Sequence, residues 1–129
     1  MTIETAIFTR LTGHAGTTAL VGTRVYPDHL PQNPTYPAIT YTRVTTERAS
    51  AMGVDTGVVE AEFRIVCFDE TYAEVKAVAL QVLDALQRFR GTVDSVVIQD
   101  VFIINQDYDF DDDVGLYEIN LDFSFWHRE

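Results

Sequence analysis

The sequence is short of positive charge and of cysteine. Its 129 residues include 9 Lys and Arg against 20 Asp and Glu, which gives a formal net charge of −11. Proteins that bind nucleic acid or anionic lipid need clustered Lys and Arg, so this composition argues against both as binding partners. Cys67 is the single cysteine, so no disulfide can form within the chain, which fits a reducing compartment.

Long apolar runs are also missing. No stretch approaches the ~20 apolar residues that cross a bilayer, and we expect no membrane partner. The first ten residues, MTIETAIFTR, lack the basic and apolar regions of a signal peptide, so we expect synthesis in the cytoplasm without export. The length and an apolar fraction of 47% predict a single domain, 1–129, with a true hydrophobic core.

The sequence lacks the familiar signatures of catalysis. It contains no G-x-G-x-x-G, P-loop or G-x-S-x-G motif. His14, His29 and His127 are too scattered in the sequence for a zinc site. Cys67 falls on the apolar side of a predicted strand, which indicates a buried structural thiol rather than a nucleophile. We therefore predict a protein that is not an enzyme and that uses no cofactor and no structural metal.

Hydrophobic periodicity predicts an α+β fold. Apolar residues at intervals of three and four predict helices over 2–11 and 71–90, with one further helical turn at 17–21. Alternation of apolar and polar residues predicts strands at 24–26, 38–48, 58–68, 96–107 and 116–126. The order α-β-β-β-α-β-β predicts an antiparallel sheet of four to five strands with two helices packed on one face.

The longer helix has recognisable end signals. Thr71 and Glu74 have the spacing of a capping box at its start. Arg88 and Arg90 would complement the helix dipole, and Gly91 stands where a helix-ending glycine is expected.

Two connections stand out by composition. All four prolines lie between positions 27 and 37, which predicts a stiff, extended surface loop. Small and polar residues between the predicted strands 38–48 and 58–68 predict a long, mobile hairpin connection, here called the assembly loop. It consists of Ala49, Ser50, Ala51, Met52, Gly53, Val54, Asp55, Thr56 and Gly57. We hypothesise that this segment becomes ordered on assembly with partners.

Five aspartates lie within seven residues of the last predicted hairpin. They are Asp107, Asp109, Asp111, Asp112 and Asp113. Their D-x-D-x-D spacing resembles the start of a calcium loop, but the glycine and the bidentate glutamate of such a loop are missing. A solvated hairpin tip explains the same residues and is the favoured interpretation, with cation binding left open.

Five stretches of the chain, taken together, resemble a known protein family. They are ETAIFTRLT, ALVGTRVYPDHLPQNPTYPAITYTRVTTER, FRIVCFDETYAEVKAVALQVLDAL, FRGTV and LYEINLDFSFWHRE. In this order and spacing they resemble the tail-completion, or tail-terminator, family of long-tailed bacteriophages and related gene-transfer particles. The resemblance extends over nearly the whole chain, 3–129.

The resemblance implies a structural virion protein without catalytic activity. Such proteins form a ring, typically of six subunits, at the head-proximal end of the tail tube. The ring ends tube polymerisation and joins the tail to the head. The implied partners are copies of the chain itself, the tail tube protein and the head or neck connector (stopper) protein, with DNA only as passing cargo. The implied location is the head–tail junction of the virion, and the implied fold agrees with the pattern above.

The resemblance also suggests a role for the net negative charge of the chain. A negatively charged channel repels the phosphate backbone, so DNA passes without adhering. We hypothesise that Glu60, Glu62 or the Asp107–Asp113 carboxylates line this channel. The alternative function, a small α+β ligand-binding or regulatory module, rests on fold class alone, which is weak support.

Overall fold

We describe residues 2–51 and 54–128 of a computed structural model, and between 49 and 56 only the backbone. This part of the chain contains three helices and six strands. In chain order they are α1 (Ile3–Gly13), α2 (Ala15–Val21), β1 (Val25–Pro27), β2 (Ala38–Ala51), β3 (Val54–Asp69), α3 (Tyr72–Leu86), β4 (Gly91–Val93), β5 (Val96–Asp111) and β6 (Leu116–Arg128). None of the described helices is long and apolar enough to cross a membrane.

The strands form one sheet in the order β1-β2-β3-β6-β5-β4. Neighbouring strands are antiparallel except β1, which runs parallel to β2. α3 packs against β3 and β6 at the centre of the sheet, and α1 and α2 pack beside α3. The α+β class and the helical layer are confirmed. The predicted number of elements was too low. The helical turn predicted at 17–21 is the helix α2, and β4 was not predicted because three residues are too few to show a hydrophobic period.

The core lies between α3 and the central strand pair. Phe63 of β3 pairs with Phe123 of β6, and both are fully buried. The Phe63 and Phe125 rings meet edge-on with their centroids 5.6 Å apart, a favourable aromatic geometry. Cys67 is also fully buried, and burial raises the pKa of its thiol to about 12, so the thiol is structural as predicted.

Helix α3 begins as predicted but ends earlier. The hydroxyl of Thr71 accepts a hydrogen bond from the Glu74 backbone N–H at 3.4 Å, which confirms the N-cap. The helix ends at Leu86 rather than at 90, and Arg88 adopts a left-handed φ of 59°. The Arg88 N–H donates to the carbonyl of Val101 at 2.6 Å, so pairing with β5 replaces the last helical turn.

Most of the predicted assembly loop is strand, so the prediction of a long hairpin connection was wrong. Ala49–Ala51 belong to β2 and Val54–Gly57 belong to β3, with Ser50 opposite Asp55. Met52 and Gly53 lie outside the described residues. Backbone pairing continues here although the small and polar residues of this segment show no apolar alternation from which a strand could be predicted. By contrast, residues 28–37 contain neither helix nor strand and are largely exposed, which confirms the proline-rich surface loop.

Two other strands are longer than their patterns indicate. β5 continues from 107 to Asp111, and β6 continues from 126 to Arg128. The extension of β5 adds Asp109 and Asp111 to the sheet beside Asp107.

Replacing Phe63 with Ala should lower the free energy of unfolding by about 3–5 kcal/mol, because it leaves a cavity at the centre of the core. Leu80→Ala is the control, since the Leu80 side chain on α3 is 63% exposed and should change stability by no more than about 0.5 kcal/mol. Urea denaturation monitored by circular dichroism measures both. Equal losses in the two variants would contradict the placement of the core.

Candidate functional site

The sheet face opposite the helices carries the predicted channel-lining carboxylates. Glu60 and Glu62 of β3 lie opposite Trp126 and Ser124 of β6, which face away from the core. β5 pairs with the other edge of β6, and its alternate residues lie on the same face of the sheet. The carboxylates on this surface, here called the acidic face, are Glu60, Glu62, Asp100, Asp107, Asp109, Asp111, Glu118 and Asp122. Carboxylates of three strands, up to 62 positions apart in the sequence, are thus placed on one surface.

The aspartate cluster divides at the end of β5. Asp107, Asp109 and Asp111 lie on the acidic face, while Asp112 and Asp113 lie in the turn 112–115. Alternate strand residues are roughly 7 Å apart, so the first three carboxylates stand side by side and do not converge on one point. The D-x-D-x-D spacing is therefore the period of a strand.

The described part of the chain contains no group of three or more His, Cys, Asp or Glu side chains arranged to hold a metal ion. The aspartates instead make local hydrogen bonds. The Asp107 carboxylate accepts from the Asn105 amide at 3.0 Å, and the Asp111 carboxylate accepts from the Asp113 backbone N–H at 3.0 Å.

Some of the negative charge on the acidic face is compensated. Arg64 Nε donates to Asp122 Oδ1 at 2.9 Å, and this hydrogen bond raises the pKa of the arginine. The hydroxyl of Ser124 donates to Glu60 Oε2 at 2.6 Å. These contacts explain how Asp122 and Ser124 are buried on a face without helices. Asp107 and Asp109 are the exposed carboxylates of this face.

Glu118 shows how closely the carboxylates are spaced. Its pKa is raised, first by burial and then by the charges of Asp109 and Asp111. Glu118 lies directly opposite Asp109 in the β5–β6 pair, where like charges oppose strand pairing.

The helix side of the same hairpin carries an aromatic surface that the sequence analysis did not identify. Tyr108, Phe110 and Tyr117, together with Tyr72 at the start of α3, line a groove of about 470 Å³, here called the aromatic groove. The Phe110 and Tyr117 ring centroids are 4.6 Å apart, and those of Tyr72 and Tyr117 are 5.6 Å apart. The signal is present in the sequence D-Y-D-F-D, where aromatic residues alternate with the aspartates and must therefore point to the opposite face.

The strand part of the predicted assembly loop lies at the opposite end of the sheet from this groove. Arg128, the last residue of β6, pairs with Val58, so β2 and β3 continue as a two-stranded hairpin beyond the third strand. The turn 112–115 lies at the other end, where Tyr117 pairs with Asp69. The sheet thus has a different hairpin at each end.

Comparisons with known proteins give a consistent result. A family model described as "Tail completion protein gp17" matches residues 5–128. Among solved structures, a chain of a structure described as "Virion of native gene transfer agent (GTA) particle" superposes with a TM-score of 0.76. The two sequences are 21% identical, and the match covers 98% of this chain and 95% of that chain, which shows a shared fold. No curated protein sequence matches.

Replacing Glu118 with Gln should stabilise the protein at neutral pH by up to about 1 kcal/mol. Because folding raises this pKa above 4.5, the folded state favours the protonated carboxyl and is destabilised once the pH rises through the folded pKa. Gln imitates the protonated form, so the gain should disappear as the pH falls below 4.5. Urea midpoints between pH 4 and pH 8 measure the effect.

Asp112→Asn is the matched control, because it removes one exposed charge in the neighbouring turn without relieving the Glu118 contacts. A gain for Glu118→Gln that persisted at low pH, or an equal gain for the control, would contradict the assigned repulsion.

Proposed function

The chain belongs to the tail completion protein gp17 family, and from this premise we propose that it forms a ring at the head-proximal end of a tail tube. Membership supports a structural role in a virion tail, and we infer that this role involves no catalysis. In the proposed role the ring stops further polymerisation of the tube protein and offers a joining surface to the head or neck connector. DNA then passes through the centre of the ring.

The observation that supports this proposal most is the gathering of carboxylates on the acidic face. The helices cover one face of the sheet, and eight carboxylates lie on the other face. In a ring of six copies, each with a formal charge of −11, the total is −66. We assign the acidic face to the channel wall, where the charge prevents phosphate from binding.

The two ends of the sheet supply the two axial contacts that the role requires. The β2–β3 hairpin projects at one end, and the turn 112–115 lies at the other. A ring between a tube and a connector contacts a different protein on each side. We assign the hairpin end, residues 49–57, to one of these contacts, and within it residues 49–51 and 54–57 are strand rather than loop.

Tails assembled without this protein should have uncontrolled tube lengths and should not join heads. Adding the purified protein should restore a uniform length and the joining activity, because the ring occupies the growing end. Electron microscopy of the tail population measures both properties. Tails of uniform length that joined heads in its absence would contradict the proposed function.

Asp107→Lys combined with Asp109→Lys should slow the release of DNA while leaving tail capping intact. The substituted lysines would bind passing phosphates, and the delay should weaken as salt rises. Asp84→Lys is the control, because Asp84 is a 74% exposed residue on α3, in the helical layer. A DNA-release assay on assembled particles at several salt concentrations measures the delay. Equal delays in both variants would argue against a channel-lining acidic face.

Residues 49–57 should be cleaved by a nonspecific protease in the isolated protein and protected in the capped tail. The proline-rich loop 28–37 serves as the internal reference for general loss of accessibility. Mass mapping of the fragments identifies the sites. Cleavage of residues 49–57 at the same rate in both states would show that the hairpin end is not an assembly contact.

A further inference from the structure

The aromatic groove exposes more apolar surface than folding requires. Tyr72, Tyr108 and Phe110 are exposed by 51%, 55% and 43%. A cluster of exposed rings on a small protein marks an interaction surface, since each ring in contact with water costs free energy that a partner would recover. The groove lies at the start of α3, beside the β5–β6 hairpin.

The chemistry of the groove suits an arginine side chain. Aromatic faces attract cations, and Asp112 lines the same groove. The protein already uses this contact nearby, because Lys76 Nζ lies 5.2 Å from the centroid of the Tyr72 ring. Behind the groove, the crowded carboxylates of Asp109 and Glu118 extend the negative field. A positively charged, partly apolar occupant matches both features.

A matching surface is present on the same chain, at the other end of α3. The side chains of Arg88 and Arg90 are 62% and 70% exposed, and they share one carboxylate, that of Asp100. The guanidinium–carboxylate distances are 2.7 Å and 3.8 Å. The Arg10 guanidinium stacks over the Phe89 ring at 4.3 Å from its centroid. These three arginines, here called the arginine corner, form a local excess of positive charge in a strongly acidic chain.

The distance between the two surfaces determines how they can meet. α3 has 15 residues and is therefore about 22 Å long, so the corner of one copy cannot reach its own groove. Contact between two different surfaces of neighbouring copies is the arrangement that closes a ring. Copies with a charge of −11 repel each other in most orientations, so a contact between opposite charges selects one orientation.

We propose that the arginine corner of each copy binds the aromatic groove of the next copy, and that this contact sets the order of subunits around the ring. The proposal rests on the ring put forward above. The guanidinium groups of Arg88 and Arg90 lie against the Tyr108 and Phe110 rings of the neighbour. The same groove would otherwise be a site for a basic segment of the tube or connector protein, and the experiment separates these occupants.

The test is cross-linking of the variant Tyr108→Cys/Arg90→Cys in capped tails with a short bis-maleimide. The native Cys67 is fully buried and does not react in the folded protein. We expect a ladder of covalent oligomers of this chain that ends at the ring number. Each single variant should give no ladder, because the contact joins two different residues. Leu80→Cys/Arg90→Cys is the matched control, with an equally exposed site elsewhere on α3, and should give no ladder.

Tyr108→Ala supplies a second measurement on a side chain outside the core. It should weaken ring closure about tenfold in protein concentration, as expected for the loss of cation–π contacts, while Leu80→Ala leaves closure unchanged. Capped tails in which positions 108 and 90 gave no cross-linked oligomers would overturn this interface, but they would not contradict the proposed ring. Cross-links from position 108 to the tube or connector protein would assign the groove to that partner instead. Absence of capped tails with the unmodified protein would overturn the proposed function and this contact together.

Discussion

The pairing of β3 with β6 is the constraint on which the rest of the structure depends. Its register places Phe63 opposite Phe123 and Ile65 opposite Leu121, so these buried side chains face the helices together. The alternate residues must then face the other way, and they include Glu60, Glu62 and Asp122. A shift of one residue would bury carboxylates under α3 and expose the core, so the packing of the core and the acidity of the outer face have the same origin.

Much of this arrangement could be predicted from the sequence, because it depends on long, strictly alternating segments. The burial of the alternate residues in β3 and β6, the N-cap at Thr71 and the surface position of the prolines all followed from local patterns. The strand pairing at the end of the β2–β3 hairpin did not, since the small and polar residues there show no apolar alternation. The early end of α3 did not either, because the Arg88 N–H is bound by Val101 of β5, a residue distant in sequence.

The candidate site was predicted in part, for the same physical reason. The acidic residues could be named from composition, but their position on one face required the register between three strands. The aromatic groove was not predicted because its rings come from distant segments. Tyr72 at the start of α3 meets Tyr117 of β6 only in the folded chain. The D-Y-D-F-D segment serves both surfaces, with its acids on one side of the sheet and its rings on the other.

In the proposed ring, the acidic face forms the wall of the DNA channel. A reconstruction of the capped tail end by electron cryomicroscopy, with this chain fitted into the ring density, would locate this face. We expect Glu62, Asp107 and Asp109 to point toward the ring axis and α1, α2 and α3 to lie on the outside. A ring whose helices line the channel, with these carboxylates on the outer rim, would contradict it.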